Sequence, residues 1–396
     1  MTKPPLASIG WSAQTNPALA GESAAHNALQ GLGGRPPCGA IVFGSSWFDQ
    51  VKLIEGVRNV LQSIPVVGGS TAGELTPEGP KTHSCVVLAL GYDDDVTVSW
   101  GAGTGLERHP RTAGHDAALQ AMQQFPGRQR SGFIFFGDGL LPGYADVVQG
   151  VQEVLGTSSL VAGGLMGDDW RFATTYQYAD DRVLTRAVSG LLLGGLCTIG
   201  VGVEHGFAPI SRPLRVTKAY RSVLYELDGK PAASVYEDYF GPAVMATVRH
   251  GGLSRELICY PLGIQRDGGG HLLRNVMGFG RDGSLECIGE VAEGMVVQLM
   301  IGSKEVALEA ATLAAQQAVR SLQSVWFVLV FDSVVRQRLL GQDTVTEFQR
   351  LRDVIGPSVP LLGCSTYGEQ APFSSPSIGG RSSVQSGAIL VIAVGT

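Results

Sequence analysis

Charge is scarce in this chain. Only 16% of its 396 residues are Asp, Glu, Lys or Arg, and the formal net charge is −6. With 44% hydrophobic residues beside them, this composition excludes a mainly disordered polypeptide, because it supplies the apolar surface that offsets chain entropy. Lys and Arg are scattered, so there is no basic footprint for nucleic acid or anionic lipid. Long apolar runs are missing too. The nearest, Ala187 to Val203, is short for a membrane span and is broken at Gly194, Gly195, Gly200 and Gly202. It reads as two buried strands joined at Gly194-Gly195. The first twelve residues contain no apolar core of signal-peptide length. A cytoplasmic protein without membrane insertion is the expectation.

Metal and cofactor signatures are equally thin. The six cysteines (Cys38, Cys85, Cys197, Cys259, Cys287, Cys364) form no CxxC pair, so buried free thiols are expected rather than a zinc or disulfide framework. The seven histidines form no HxxxH or HExxH pair, which leaves metal-assisted hydrolysis unsupported. No GxxxxGK[ST] phosphate loop occurs. Gly278-Phe-Gly-Arg-Asp-Gly283 matches GxGxxG, but its last residues turn into another strand instead of opening a helix. Gly68 to Ala72 lacks the final glycine of a nucleophile elbow. Asp93-Asp94-Asp95 reads as a solvated turn. No cofactor is expected on these grounds.

What the chain does have is glycine, 55 of them, in a recurring pattern. Ala40–Gly44 leads through an amphipathic segment, Asp49 to Ser63, to Ile64-Pro-Val-Val-Gly-Gly-Ser-Thr-Ala-Gly-Glu74. Gly132–Gly137 leads through Tyr144 to Gly156 into Leu160-Val-Ala-Gly-Gly-Leu-Met-Gly-Asp168. Trp326–Phe331 leads through Thr344 to Ile355 into Val359-Pro-Leu-Leu-Gly-Cys-Ser-Thr-Tyr-Gly-Glu369. In each, a strand-length apolar run precedes a helix with apolar residues three and four apart, then a second short run breaks into glycine.

The unit extends both ways. Upstream lie a strand and a helix: Ser8–Trp11 with Ala18–Leu29, Val96–Trp100 with Ala113–Gln124, and Val296–Ile301 with Lys304–Leu322. Downstream, Cys85–Leu90 pairs as a hairpin with Val96–Trp100, Leu191–Leu193 with Thr198–Val203, and Ala388–Val394 closes the chain. The pattern predicts an α/β fold of repeated β-α-β-α-β units with mostly parallel mixed sheets, the product of internal duplication. From Pro213 to Glu293 a different, inserted α+β region is expected, with strands Leu214–Tyr220 and Ser222–Leu227, a helix from Pro231 to Phe240, and antiparallel strands.

Each glycine turn exposes backbone N–H groups at a strand end, where ligands of open α/β sheets collect. The first adds Ser70, Thr71 and Glu74; the third adds Ser365, Tyr367 and Glu369. Hydroxyls and N–H groups of this kind suit a ligand carboxylate, and the glutamate suits an ammonium group, a pairing that fits an amino acid. Asp168, Asp169 and Trp170 follow the second turn, and acids beside a large aromatic suit a cation. Arg336, past the strand ending at Phe331, could grip a carboxylate in bidentate fashion. The plainer reading is that such turns only reverse the chain.

Gly68 to Glu74, Ala162 to Gly167, Leu227-Asp-Gly-Lys-Pro-Ala232, Tyr260-Pro-Leu-Gly263 and Gly363 to Glu369 together resemble the FIST family. That resemblance spans nearly the whole chain. It implies an N-type domain over about 1–225, holding two unit copies (about 6–103 and 96–204), and a C-type domain over 226–396. It also implies a cytoplasmic sensor of a small ligand, amino-acid-like or a small carboxylate, that signals to a separate histidine kinase, cyclase or chemoreceptor. A family cysteine expected shortly before the arginine is missing from Phe331-Asp-Ser-Val-Val-Arg336. Two alternatives stay open: a haem-binding gas sensor with His205 or His250 as the axial ligand, and an enzyme of unrecognised type.

Overall fold

A computed structural model describes residues 6–127, 129–241, 259–266, 270–372 and 382–396. The apolar runs form strands and the amphipathic segments form helices, as the periodicity predicts. Along the first part of the chain come β1 (Ala7–Ser12), α1 (Pro17–Gly31), β2 (Pro37–Ser45), α2 (Gln50–Leu61), β3 (Val66–Thr71), β4 (Glu74–Thr76), β5 (Gly79–Lys81) and β6 (Cys85–Gly91). Then follow β7 (Val96–Thr104), α3 (Pro110–Gln124), β8 (Arg130–Asp138), α4 (Tyr144–Leu155), β9 (Val161–Met166), β10 (Gln177–Ala179), β11 (Arg182–Leu184), β12 (Ala187–Gly195) and β13 (Thr198–Glu204).

The inserted region holds β14 (Phe207–Pro209), β15 (Leu214–Tyr220), β16 (Val223–Leu227), β17 (Lys230–Pro231), a helix α5 over residues 234–241, β18 (Leu262–Gln265), β19 (His271–Arg274), β20 (Val276–Phe279), β21 (Leu285–Cys287) and β22 (Val296–Gly302). The chain ends with α6 (Lys304–Val319), β23 (Val325–Ser333), α7 (Val334–Leu340), α8 (Thr344–Ile355), β24 (Leu361–Thr366), β25 (Gly368–Pro372), β26 (Ser382–Gln385) and β27 (Ile389–Gly395).

Three of the four sheets share one plan. Their strand orders are β1-β6-β2-β3-β10-β11, β7-β12-β8-β9-β25-β26 and β13-β27-β23-β24-β4-β5. Each ends on a two-stranded hairpin that comes from a different stretch of the chain than its neighbours. Beyond the glycine turn, the chain therefore leaves its own sheet and completes another. The inner faces meet in a single core, where Phe43, Phe136 and Phe331 pack with ring centroids 5.7, 5.9 and 6.2 Å apart. The outer faces lie under α1 and α2, α3 and α4, and α6 and α8.

Several expectations change. The sheets are mixed but not mostly parallel: each contains one parallel pair, β2/β3, β8/β9 or β23/β24. Continuous apolar runs signal burial on both faces, and here both faces are buried under a shared core and a helix layer while most of the pairing is antiparallel. The supposed hairpins are also absent. Val96–Thr104 pairs with Ala187–Gly195, and Thr198–Glu204 pairs with Ile389–Gly395, so the chain steps to a new sheet at each of those turns. Val296–Gly302 belongs to the antiparallel insert and not to the third unit. The strand under α6 is β13. A Cβ at Gly200 would lie 1.8 Å from the carbonyl of Ala318, as one at Gly10 or Gly101 would lie 2.1 or 2.0 Å from Ala24 or Ala117. Glycine in the first strand lets an alanine-rich helix press onto it in all three places.

The insert interrupts the third unit between β13 and α6. Among the described residues its nine strands pair antiparallel around Leu214, Leu224, Tyr236, Leu262, Leu285 and Leu299. Pro231 sits in a short strand there instead of opening the helix. Gly278–Gly283 joins β20 to antiparallel β21, as expected for a hairpin. Among the described residues no helix is long and apolar enough to cross a membrane.

Candidate functional site

The three glycine turns converge at one end of the shared core. The N–H of Gly167 donates to the carbonyl of Ser70 at 3.2 Å, that of Ala72 to Ser365 at 3.2 Å, and that of Tyr367 to Leu165 at 2.9 Å. Each exiting chain is thus bonded to the last strand residues of another unit. Ala72, Val334 and Tyr367, with Leu140 against them, form an apolar plug over the core.

Most polar groups of the first and third turns are consumed in building this junction. Ser70 Oγ donates to the carbonyl of Gly167 at 2.7 Å and accepts from the N–H of Tyr176 at 2.9 Å. Thr71 donates to Glu74, which also accepts from the N–H and hydroxyl of Ser84 at 3.1 and 2.7 Å. Thr366 donates to Glu369 at 2.7 Å, and the N–H of Ala388 reaches its other oxygen at 3.3 Å. Both glutamates therefore satisfy the backbone just ahead of a unit's last strand, β6 or β27. Burial pushes the Glu74 carboxyl from 4.5 up to about 8, against its bonds from Thr71 and Ser84 and with a further push from Asp169. Burial likewise raises Glu369 well above the ordinary carboxylate range.

Arg336 does not present a free guanidinium. It is fully buried, donating from Nε to Asp332 at 2.8 Å and from Nη2 to the carbonyl of Ala307 at 2.9 Å and to Glu347. Two acidic side chains already accept from it. Burial and the nearby Glu347 raise the Asp332 carboxyl well above its usual range, with Arg336 opposing. Ser365, Glu74, Asp332, Gln337 and Glu347 line a crevice of about 30 Å³, which holds a water or two and nothing the size of an amino acid.

The second turn is different. Asp168 is buried, and its carboxylate accepts from the N–H groups of Phe172, Ala173 and Thr174 at 2.8, 2.6 and 2.9 Å and from the Tyr367 hydroxyl. It ties down the loop from 168 to 174. The Tyr367 phenol is pushed up by burial and then by Asp168, so it stays a donor. Asp169 is half-buried, and its Oδ2 accepts from Ser45 Oγ at 2.8 Å, Ser46 Oγ at 2.7 Å and the N–H of Trp47 at 3.0 Å. Every hydrogen bond shown to this side chain ends on Oδ2, which leaves Oδ1 with no donor among the described residues.

Residues next to this carboxylate in bonding or in sequence carry exposed aromatic rings. Trp47, Trp170 and Phe172 are 52%, 37% and 43% exposed, unusual for such side chains in one place. Trp47 stacks on His83 at 5.3 Å, Trp170 meets Phe172 edge-on at 6.2 Å, and Phe172 stacks on Tyr367 at 4.6 Å. His83, Asp169, Trp170 and Phe172 all have left-handed backbones, with φ of 53°, 53°, 64° and 50°. Such strain in bulky residues concentrates where a side chain must be held in one place. Sequence reasoning missed Ser45, Ser46, Trp47, His83 and Phe172. A signal existed: Ser-Ser-Trp directly follows the strand Ala40–Gly44, at the end where ligands collect.

The haem alternative finds little to use. His205 Nδ1 accepts from the N–H of Phe207 at 3.3 Å and Nε2 lies 3.1 Å from the carbonyl of His271. Burial pulls its pKa down to about 4. Coordinating iron would cost one of these bonds. His250 lies outside the described residues. Among the described residues no cluster of three or more His, Cys, Asp or Glu side chains could hold a metal ion.

A FIST N domain matches residues 39–230 and a FIST C domain residues 232–372. The chain belongs to the FIST family. FIST domains are associated with small-ligand sensing in signal transduction. An uncharacterized protein of Mycobacterium tuberculosis is 28% identical over 386 residues, covering 92% of this chain and 95% of its own length. An uncharacterized protein of Methanocaldococcus jannaschii is 34% identical over 210 residues, covering 50% of this FIST chain and 40% of its own length. Among solved structures, cyanuric acid hydrolase from A. caulinodans aligns over 99% of this chain and 100% of that one, at 10% identity and a TM-score of 0.39.

Proposed function

We propose that this FIST protein is a sensor for a small, amino-acid-like ligand that docks at the mouth around Asp169. The observation that carries the reading is the half-buried Asp169 carboxylate: one oxygen is fixed by three donors, the other takes none among the described residues, and the adjoining Trp47 and Trp170 are exposed. A small-carboxylate ligand gripped by Arg336 is the weaker choice, because Asp332 and Glu347 already take up that guanidinium.

The shared plan of the three core sheets supports internal duplication with divergence of the turns. Two copies use their carboxylates to close the fold, and the second copy offers one to solvent. Occupancy at Asp169 would be felt in the first unit through Ser45 and Ser46, and in the third through the neighbouring Asp168 and Tyr367. The signal then passes to a separate output protein such as a histidine kinase, cyclase or chemoreceptor, in the cytoplasm.

The test is a thermal-denaturation screen with amino acids and related metabolites. A ligand of the native state at a hundred times its Kd adds about 2.7 kcal/mol and raises Tm. The gain should disappear in Asp169→Asn. A flat response across the panel would contradict the reading.

A further inference from the structure

We propose that the mouth recognises its ligand by a cationic group alone, so that organic ammonium ions without any carboxylate bind at Asp169. The class runs from protonated primary amines to quaternary ammonium ions. This deepens the sensor reading above and rests on it.

The chemistry of the mouth is one-sided. Asp169 supplies a carboxylate whose Oδ1 takes no donor among the described residues, since Ser45, Ser46 and the N–H of Trp47 all hold Oδ2. Trp47 begins at the N–H bonded to that carboxylate, and Trp170 is the next residue in the chain, so both indoles start beside it. Aromatic faces carry a negative quadrupole and attract cations, tryptophan most of all. They offer nothing to an anion.

A ligand carboxylate would find few donors at the mouth: the exposed His83 that stacks on Trp47 and the exposed Arg171, neither of them buried. The hydroxyls of Ser70, Thr71 and Thr366 and the N–H groups of Ala72, Gly167 and Tyr367 are spent on the junction. Arg336 is sealed below and doubly paired. Arg171 lies on the same loop but is exposed, and an exposed ion pair improves binding by a few-fold at most. Asp168, buried one residue away, adds negative potential. Holding Asp169, Trp170 and Phe172 at positive φ costs stability, and a loop that only closed the fold would place glycine or asparagine there.

The experiment is tryptophan-fluorescence titration of the full chain at matched ionic strength. Choline is compared with its uncharged isostere 3,3-dimethyl-1-butanol, and phenethylamine with phenylalanine. Choline should bind about tenfold more tightly than the alcohol, from ring and carboxylate acting together. Phenethylamine should bind at least as tightly as phenylalanine. Asp169→Asn keeps an oxygen for Ser45, Ser46 and Trp47, so it should fold normally and remove most of choline's advantage over the alcohol, the rings retaining the rest, whereas Arg171→Ala leaves amine binding intact. Equal binding of choline and the alcohol, or binding of phenylalanine without phenethylamine, overturns the cation rule and leaves the sensor reading standing. No response to any of these compounds or to the metabolite panel removes both.

Discussion

The hydroxyl of Tyr367 donates to the carboxylate of Asp168, joining two glycine turns that lie 199 positions apart in the chain. One partner comes from the stretch matched by the FIST N domain and the other from that matched by the FIST C domain. The same carboxylate fixes three backbone N–H groups of the loop that presents Asp169 and Trp170. The loop that carries Asp169 is therefore held by a bond from the far half of the chain.

Breaking that bond in two ways should give different results. Tyr367→Phe keeps the stacking on Phe172 and loses one hydrogen bond, a cost of about 1 kcal/mol. Asp168→Ala leaves three backbone donors without their acceptor and should cost about 2–4 kcal/mol. Hydrogen exchange checks the mechanism: in Asp168→Ala, amides 172 to 174 should lose protection while those of β8 keep theirs.

Glu74 gives the fold a pH dependence. Its carboxyl titrates near 8 when folded and near 4.5 in the unfolded chain, so between those values the folded state binds the proton more tightly. Stability from this group is greatest below the lower value and falls as pH rises toward 8, by up to about 1.4 kcal/mol per pH unit. Denaturant unfolding measured from pH 5 to pH 8 should show the decline, and Glu74→Gln should make it shallower, with Glu369 and Asp332, also raised, keeping part of it. A wild-type stability that rises over this range would contradict the assignment.

Arg336 should behave as a structural residue. Arg336→Met strands Asp332 and Glu347 as buried acids and should destabilise by about 3–5 kcal/mol. Glu347 lies on α8 and Asp332 at the end of β23, so the loss spreads across the third unit. A variant of near wild-type stability that has lost ligand binding would restore Arg336 as a contact residue.

Asp169→Asn should do the reverse. Asparagine can still accept from Ser45, Ser46 and Trp47, so stability should change by less than about 1 kcal/mol while ligand-induced stabilisation disappears. Comparing Tm with and without ligand for the two variants separates scaffold from seat.

The elements of the three units were legible because apolar strands, amphipathic helices and glycine turns all leave local patterns. Topology was not. Strands such as Cys85–Gly91 and Ile389–Gly395 are buried on both faces, which erases the alternation that would reveal their antiparallel partners. The β13 strand is separated from its helix α6 by the whole insert, so the nearer apolar run, Val296–Ile301, took its place in the reading. The turns were correctly singled out as strand-end features, but sequence could not tell which carboxylates bond inward. Glu74 and Glu369 each sit three residues after a threonine that claims them. In the second turn methionine, Met166, occupies the threonine's place, and Asp169 is left to reach Ser45 and Ser46 in another unit.

The most direct test of the mouth as the ligand seat uses the indole N–H signals of the five tryptophans, assigned by single Trp→Phe variants in a nitrogen-15-labelled sample. Titration with the compound that gives the largest thermal shift should move the signals of Trp47 and Trp170 together and leave Trp11, Trp100 and Trp326 in place. Saturable shifts confined to those three, or a bound ligand that moves neither Trp47 nor Trp170, would contradict the account.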